Sequence, residues 1–102
     1  MMTEKDLMDK CINLLKSLNI TYIHRNNNIR SQKFRKNTDY QKGWPDIVIF
    51  FKGRCIFVEL KVGNNNPTPE QVTFLTKMER LKYDTFIIYD YDNFLMTIKE
   101  YL

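Results

Sequence analysis

The residues best suited to do chemistry sit at the two ends of the most apolar stretch of the sequence, "GWPDIVIFFKGRCIFVELK", Gly43 to Lys61. Asp46 stands near its start; Glu59 and Lys61 close it. Between them, "DIVIFF" and "RCIFVELK" have the β-branched and aromatic content of strands, with Lys52-Gly53 placed as a hairpin loop. A two-residue loop there faces Phe51 with Arg54, so paired residue numbers sum to 105 and Asp46 falls opposite Glu59. A four-residue loop keeps this register; a three-residue loop breaks it. Opposed residues share a sheet face, with Cβ atoms about 4.5–5.5 Å apart. Lys61 shares the face of Glu59 because side chains alternate with period two, and it lies about 6.5–7 Å further along the strand.

Two carboxylates placed face to face repel, and burial in an apolar sheet raises the cost. Something must compensate. Lys61 is one candidate and a divalent cation is the other. Oxygen ligands of this kind suit Mg²⁺ or Mn²⁺, which take one or two carboxylates together with waters and phosphate oxygens. A cation held by Asp46 and Glu59 would polarise a phosphate and lower the pKa of a bound water. Lys61 would orient or deprotonate that water, or stabilise the charge that develops. Glu-x-Lys or Pro-Asp alone carries little information; the hairpin register that brings them together carries more.

Charge points to the same class of substrate. From Arg25 to Lys42 the chain has Arg25, Arg30, Lys33, Arg35, Lys36 and Lys42 against one acid, Asp39, a local charge of +5. The whole chain carries +4, so the remainder is close to neutral. A basic block on a near-neutral body is the electrostatic footprint of a polyanion binder, although a solvated basic loop has the same composition.

The elements that must position these residues are legible from periodicity. Thr3 to Leu18 reads as a helix with Leu7, Cys11, Leu14, Leu15 and Leu18 on one face and Thr3 as N-cap. Ile20 to Arg25 reads as a strand, and residues 26–43 as a loop. After the hairpin and the loop "VGNNNP", "TPEQVTFLTKMERLKY" reads as a second helix. Thr68 is its N-cap, Pro69 its first residue and Gln71 the partner in a capping box. Phe74, Leu75, Met78 and Leu81 form its buried stripe. "TFIIYD" is a further strand, and "NFLMTIKEYL" a short strand or helix. The order is αβββαβ, which predicts an α/β sandwich around a mixed central sheet flanked by helices.

With 102 residues the chain is expected to be a single domain spanning 1–102. No apolar run approaches a membrane span, and the N-terminus lacks the apolar core of a signal peptide, which points to a cytoplasmic protein. Cys11 and Cys55 lie in apolar patterns without metal-ligand spacing and read as buried reduced thiols. His24, the single histidine, reads as an ordinary strand residue.

Taken together, "GWPD" followed by "VELK" resembles the PD-(D/E)XK nuclease motif, and the surrounding sequence resembles the VRR-NUC branch of that superfamily. The likeness spans nearly the whole chain, from Glu4 in the first helix, through the Asn and basic segment Asn26 to Lys42, to "TPEQ". Trp44 stands where many relatives have a smaller residue; packing on the sheet is the commoner fate of a lone tryptophan. The resemblance implies a restriction-endonuclease-like fold and Mg²⁺- or Mn²⁺-dependent phosphodiester hydrolysis. It implies a stand-alone domain of the kind found in phages and bacteria, acting on branched DNA such as Holliday junctions as a homodimer. Asp46 and Glu59, with the Leu60 backbone carbonyl, would be the metal ligands. Lys61 would be the catalytic lysine. Gln71 would sit near the active site as well as capping its helix, and Glu4 would match the helix-1 acid. Arg25, Asn26, Arg30, Lys33, Arg35, Lys36 and Lys42 would meet DNA.

Two other functions fit parts of the sequence. A non-catalytic nucleic-acid-binding module on the same fold would bind DNA without needing a metal. A protein-interaction protein would leave the carboxylate pair and the basic block as coincidences.

Overall fold

A computed structural model describes residues 2–25 and 43–102. The first helix, α1, runs Glu4–Ser17. Thr3 caps it: its hydroxyl accepts from the Asp6 N–H, and the Asp6 carboxylate accepts from the Thr3 N–H. These hydrogen bonds hold the Asp6 carboxyl below its ordinary value. Leu7, Cys11, Ile12 and Leu15 are buried. The expected apolar face included Leu18, but Leu18 is 38% exposed. It is the C-cap, and Asn19 beyond it takes a left-handed φ of 57°, which swings the chain away and delivers Ile20 to the core in its place.

Four strands follow the expected order: β1 Thr21–His24, β2 Ile47–Phe51, β3 Arg54–Leu60 and, after helix α2 Pro69–Arg80, β4 Asp84–Ile88. They lie side by side as β1-β2-β3-β4. The first two pairings are antiparallel and β3–β4 is parallel, so the sheet is mixed. The hairpin turns at Lys52 and Gly53, whose φ values of 50° and 78° are those of a primed two-residue turn. Every β2–β3 pair, from Ile47–Val58 to Phe51–Arg54, has the expected sum of 105. The segment left as strand or helix is a helix, α3, Tyr91–Lys99, capped by the Asp90 carboxylate on the Asn93 N–H. The expected loop at 26–43 lies outside the described residues except for Gly43.

Alternation along the strands splits the core between two sheet faces. Ile47, Ile49, Ile56, Val58, Leu60 and Ile88 meet Leu7, Cys11 and Leu15 of α1 and Phe94 and Ile98 of α3. Val48 and Phe57 meet Phe74 and Leu75 of α2. Leu81, expected on the buried stripe of α2, is 58% exposed because, like Leu18, it is a C-cap followed by a left-handed residue, Lys82. Cys55 is partly rather than fully buried, packed at the margin of the cluster that Val48 and Phe57 form with α2. Both thiols are pushed up by burial, Cys11 to about 12, so both are protonated near neutrality. Tyr101 donates to the Asp84 carboxylate at 2.7 Å and ties the C-terminal end to β4. Among the described residues no helix is long and apolar enough to cross a membrane.

Phe94 is fully buried, so Phe94→Ala is expected to lower stability by about 3–5 kcal/mol, read as a lower urea midpoint at unchanged slope. Leu81→Ala, at the exposed cap, is expected to stay within about 0.5 kcal/mol of wild type in the same measurement.

Candidate active site

The site forms where the segment before β2 meets the end of β3 and the first turn of α2. Gly43 makes the meeting possible. Its φ is +87°, and a Cβ there would lie 2.2 Å from the Glu70 carbonyl oxygen and 2.8 Å from the Gln71 nitrogen, both backbone atoms of α2. Only glycine allows so close an approach. Pro45 behind it is fully buried, and the Trp44 ring packs on Phe74 with centroids 5.1 Å apart. Trp44 is 37% exposed and its role here is packing.

Asp46 follows, and its Oδ2 accepts from the Leu60 N–H at 2.8 Å. This bond fixes one carboxylate oxygen at the end of β3, where the hairpin register puts Glu59 opposite. Leu60 thus enters the site through its backbone, while its side chain belongs to the other face.

Glu59 is 1% exposed. Its Oε1 accepts from Gln71 Nε2 at 3.0 Å; its Oε2 is buried and accepts no hydrogen bond from the described residues. Burial first, then the Asp46 carboxylate, pushes the Glu59 carboxyl up to about 9, against the smaller pull of Arg25 and Lys61. Near neutrality Glu59 therefore holds a proton, which relieves the repulsion between the two carboxylates. Lys61 is buried beside them, with its backbone N–H on the Ile88 carbonyl. Among the described residues no ion pair joins it to Asp46 or Glu59. Of the two compensations read from the sequence, a Lys61 ion pair is thus not the one observed.

Gln71 does two jobs with its two amide atoms. Its Oε1 accepts from the Thr68 N–H at 2.8 Å, closing the capping box, and its Nε2 holds Glu59. The cap of α2 and the orientation of Glu59 are one hydrogen-bonded unit.

Glu4 stands apart from the pair. Its Oε2 accepts from Asn65 in the loop that follows Lys61, at 3.2 Å. Among the described residues no three His, Cys, Asp or Glu side chains converge as a metal-holding group. Arg25 reaches the site, donating to the Trp44 carbonyl. Asn26, Arg30, Lys33, Arg35, Lys36 and Lys42 lie outside the described residues. His24 is exposed, with Nδ1 3.1 Å from the Arg25 carbonyl oxygen. Sequence reasoning missed the docking of Gly43 on α2 and the inward turn of Arg25. Gly43 carried the one available signal, a glycine directly before Trp-Pro-Asp.

The donor set fits a hard divalent cation. Asp46 and Glu59 supply carboxylate oxygens from adjoining chain segments, and once Glu59 is ionised no donor among the described residues reaches its buried Oε2, the kind of atom a cation satisfies.

No family model matches the sequence, and no curated protein matches it. Solved structures do match in fold. One, a "VRR_NUC domain protein", aligns with a TM-score of 0.80 at 22% identity over 100% of this chain and 89% of that one. Another, a "VRR_NUC domain", aligns with a TM-score of 0.75 at 17% identity over 97% of both chains.

Two expectations follow from the site. Because the Glu59 carboxyl is raised from 4.5 to about 9 on folding, the folded state binds more protons between those values, and this group's contribution to stability falls as pH rises through that window. The metal-free protein is expected to lose urea resistance between about pH 5 and about pH 9. Glu59→Gln should flatten that dependence and raise the midpoint at the alkaline end. Gly43→Ala is expected to cost clearly more than Gly53→Ala. Both glycines have positive φ, but nothing lies within 4 Å of a Cβ at Gly53, which leaves only the backbone penalty of about 1 kcal/mol. Parallel denaturation curves of the two variants test this.

Proposed function

The chain has the fold of VRR_NUC domain proteins, and from that premise we propose that it is a Mg²⁺- or Mn²⁺-dependent DNA endonuclease selective for branched DNA. The observation that carries the proposal is the pairing of Asp46 with a Glu59 whose Oε2 is buried without a partner among the described residues. Asp46, Glu59 and the Leu60 carbonyl would hold the cation. When bound, it supplies Lewis acidity toward a phosphate oxygen and a water of lowered pKa. The chain's own residues do the rest. Gln71 fixes Oε1 of Glu59, and the Leu60 N–H fixes Oδ2 of Asp46, so the two carboxylates hold their orientation before any ligand arrives. Lys61, buried beside the pair, orients the attacking water and stabilises negative charge as the phosphodiester is broken.

The basic block Arg30 to Lys42 supplies contacts to the DNA backbone. Glu4, held by Asn65, would act on the site through water. Each active site cuts one strand, so paired nicks across a junction call for two copies of the chain.

The test is cleavage of end-labelled linear duplex, single strand, flap and four-way junction with Mg²⁺, Mn²⁺ or EDTA. The junction is expected to be cut with either metal and untouched with EDTA. Asp46→Ala should abolish cutting, and Lys61→Ala should lower its rate by about 100-fold or more. A wild type that binds the junction but cuts nothing with any metal would turn the assignment to a non-catalytic binding module.

A further inference from the structure

Arg25, the first cation of the basic block, reads from the sequence as a phosphate contact. In the fold its side chain turns toward the Trp-Pro-Asp segment. Its backbone N–H donates to the Asp46 carbonyl at 2.8 Å, extending the β1–β2 ladder by one bond. Its guanidinium Nη2 donates to the Trp44 carbonyl. Its Nε is buried and without a partner among the described residues. Among the described residues, Glu59 Oε2 is the other buried side-chain polar atom in that condition.

An outward phosphate contact needs a guanidinium free to reach solvent. This one spends a side-chain donor on the backbone of "WPD" itself and keeps another N–H inside. We infer that Arg25 is a positioning residue of the carboxylate pair, tying Trp44 and Asp46 to the end of β1. The inference rests on reading Asp46 and Glu59 as the reactive pair. It makes the segment fixed at three places: Gly43 against α2, Trp44 under Arg25 and against Phe74, and Asp46 on the Leu60 N–H.

Trp44, the single tryptophan, reports on this clamp without any need for activity. The test compares wild type with Arg25→Lys, which keeps the charge but lacks the planar fork, and Arg25→Gln, which lacks both. The readouts on metal-free protein are Trp44 emission, its acrylamide quenching, and the salt dependence of binding to a four-way junction. Both substitutions are expected to shift the emission to the red and increase quenching while leaving the salt slope unchanged. In cleavage assays both should lower kcat at unchanged KM for DNA, with no rescue by lysine. Unchanged Trp44 emission in both variants would overturn the inference. So would a salt slope shallower by about 1 in Arg25→Gln that Arg25→Lys restores, the behaviour of a phosphate contact. Should Arg25→Gln not fold, Arg25→Lys decides alone. Should the wild type cut no DNA, the nuclease assignment falls, while the Trp44 readout still decides the role of Arg25.

Discussion

A carboxyl group buried beside another carboxylate is expensive, and the functional half of this molecule is organised around that cost. Glu59 is sealed between the sheet and α2, with Asp46 as its nearest acidic neighbour. Three responses are visible. A proton stays on Glu59 near neutrality, Gln71 satisfies one of its oxygens, and two cations, Arg25 and Lys61, stand close enough to favour its charged form without prevailing. What is left is one buried oxygen that no donor among the described residues reaches. A core built for stability alone would fill that position with an aliphatic side chain. Keeping an ionisable group there makes sense if a cation takes the place of the proton.

The fold delivers this arrangement with few parts. The primed turn at Lys52-Gly53 fixes the register that sets Asp46 against Glu59, and a one-residue slip would send one of them to the opposite face. The parallel partner β4 continues the ladder to the Lys61 N–H. Helix α2 covers the same face and brings Gln71 to Glu59 with the residue that closes its own cap. Gly43 lets the Trp-Pro-Asp segment lie directly on that cap. Stability of the α2 N-terminus and geometry of the carboxylates are therefore coupled, and damage to either reaches both.

Much of this was legible in the sequence because it rests on local rules. The hairpin register followed from turn length alone, and Thr3 and the Thr68–Gln71 pair followed from capping chemistry. The type and order of the main elements followed from periodicity. The misreadings share a physical cause. Leu18 and Leu81 continue the apolar period of their helices, but each is a cap whose successor turns left-handed, so the chain leaves before the side chain can be buried. Periodicity does not know where a helix stops. Cys55 obeys strand alternation yet sits next to the hairpin turn, at the margin of the cluster under α2, and is only partly buried. The Gly43 docking and the inward turn of Arg25 depend on contacts between distant segments, which composition and charge do not encode. Charge alone assigns Arg25 to DNA and gives no sign of its hydrogen bond to the Trp44 carbonyl.

The central claim is that the free oxygen of Glu59, together with Asp46, is a seat for a divalent cation. Calorimetric titration of Mn²⁺ into wild type and Glu59→Gln tests it most directly, since it needs neither DNA nor turnover. The account predicts saturable binding to wild type that strengthens with pH, as the Glu59 proton must leave, and binding that is lost or much weakened in Glu59→Gln. Equal Mn²⁺ affinity in the two proteins, or no binding to wild type on the alkaline side of neutrality, would contradict it.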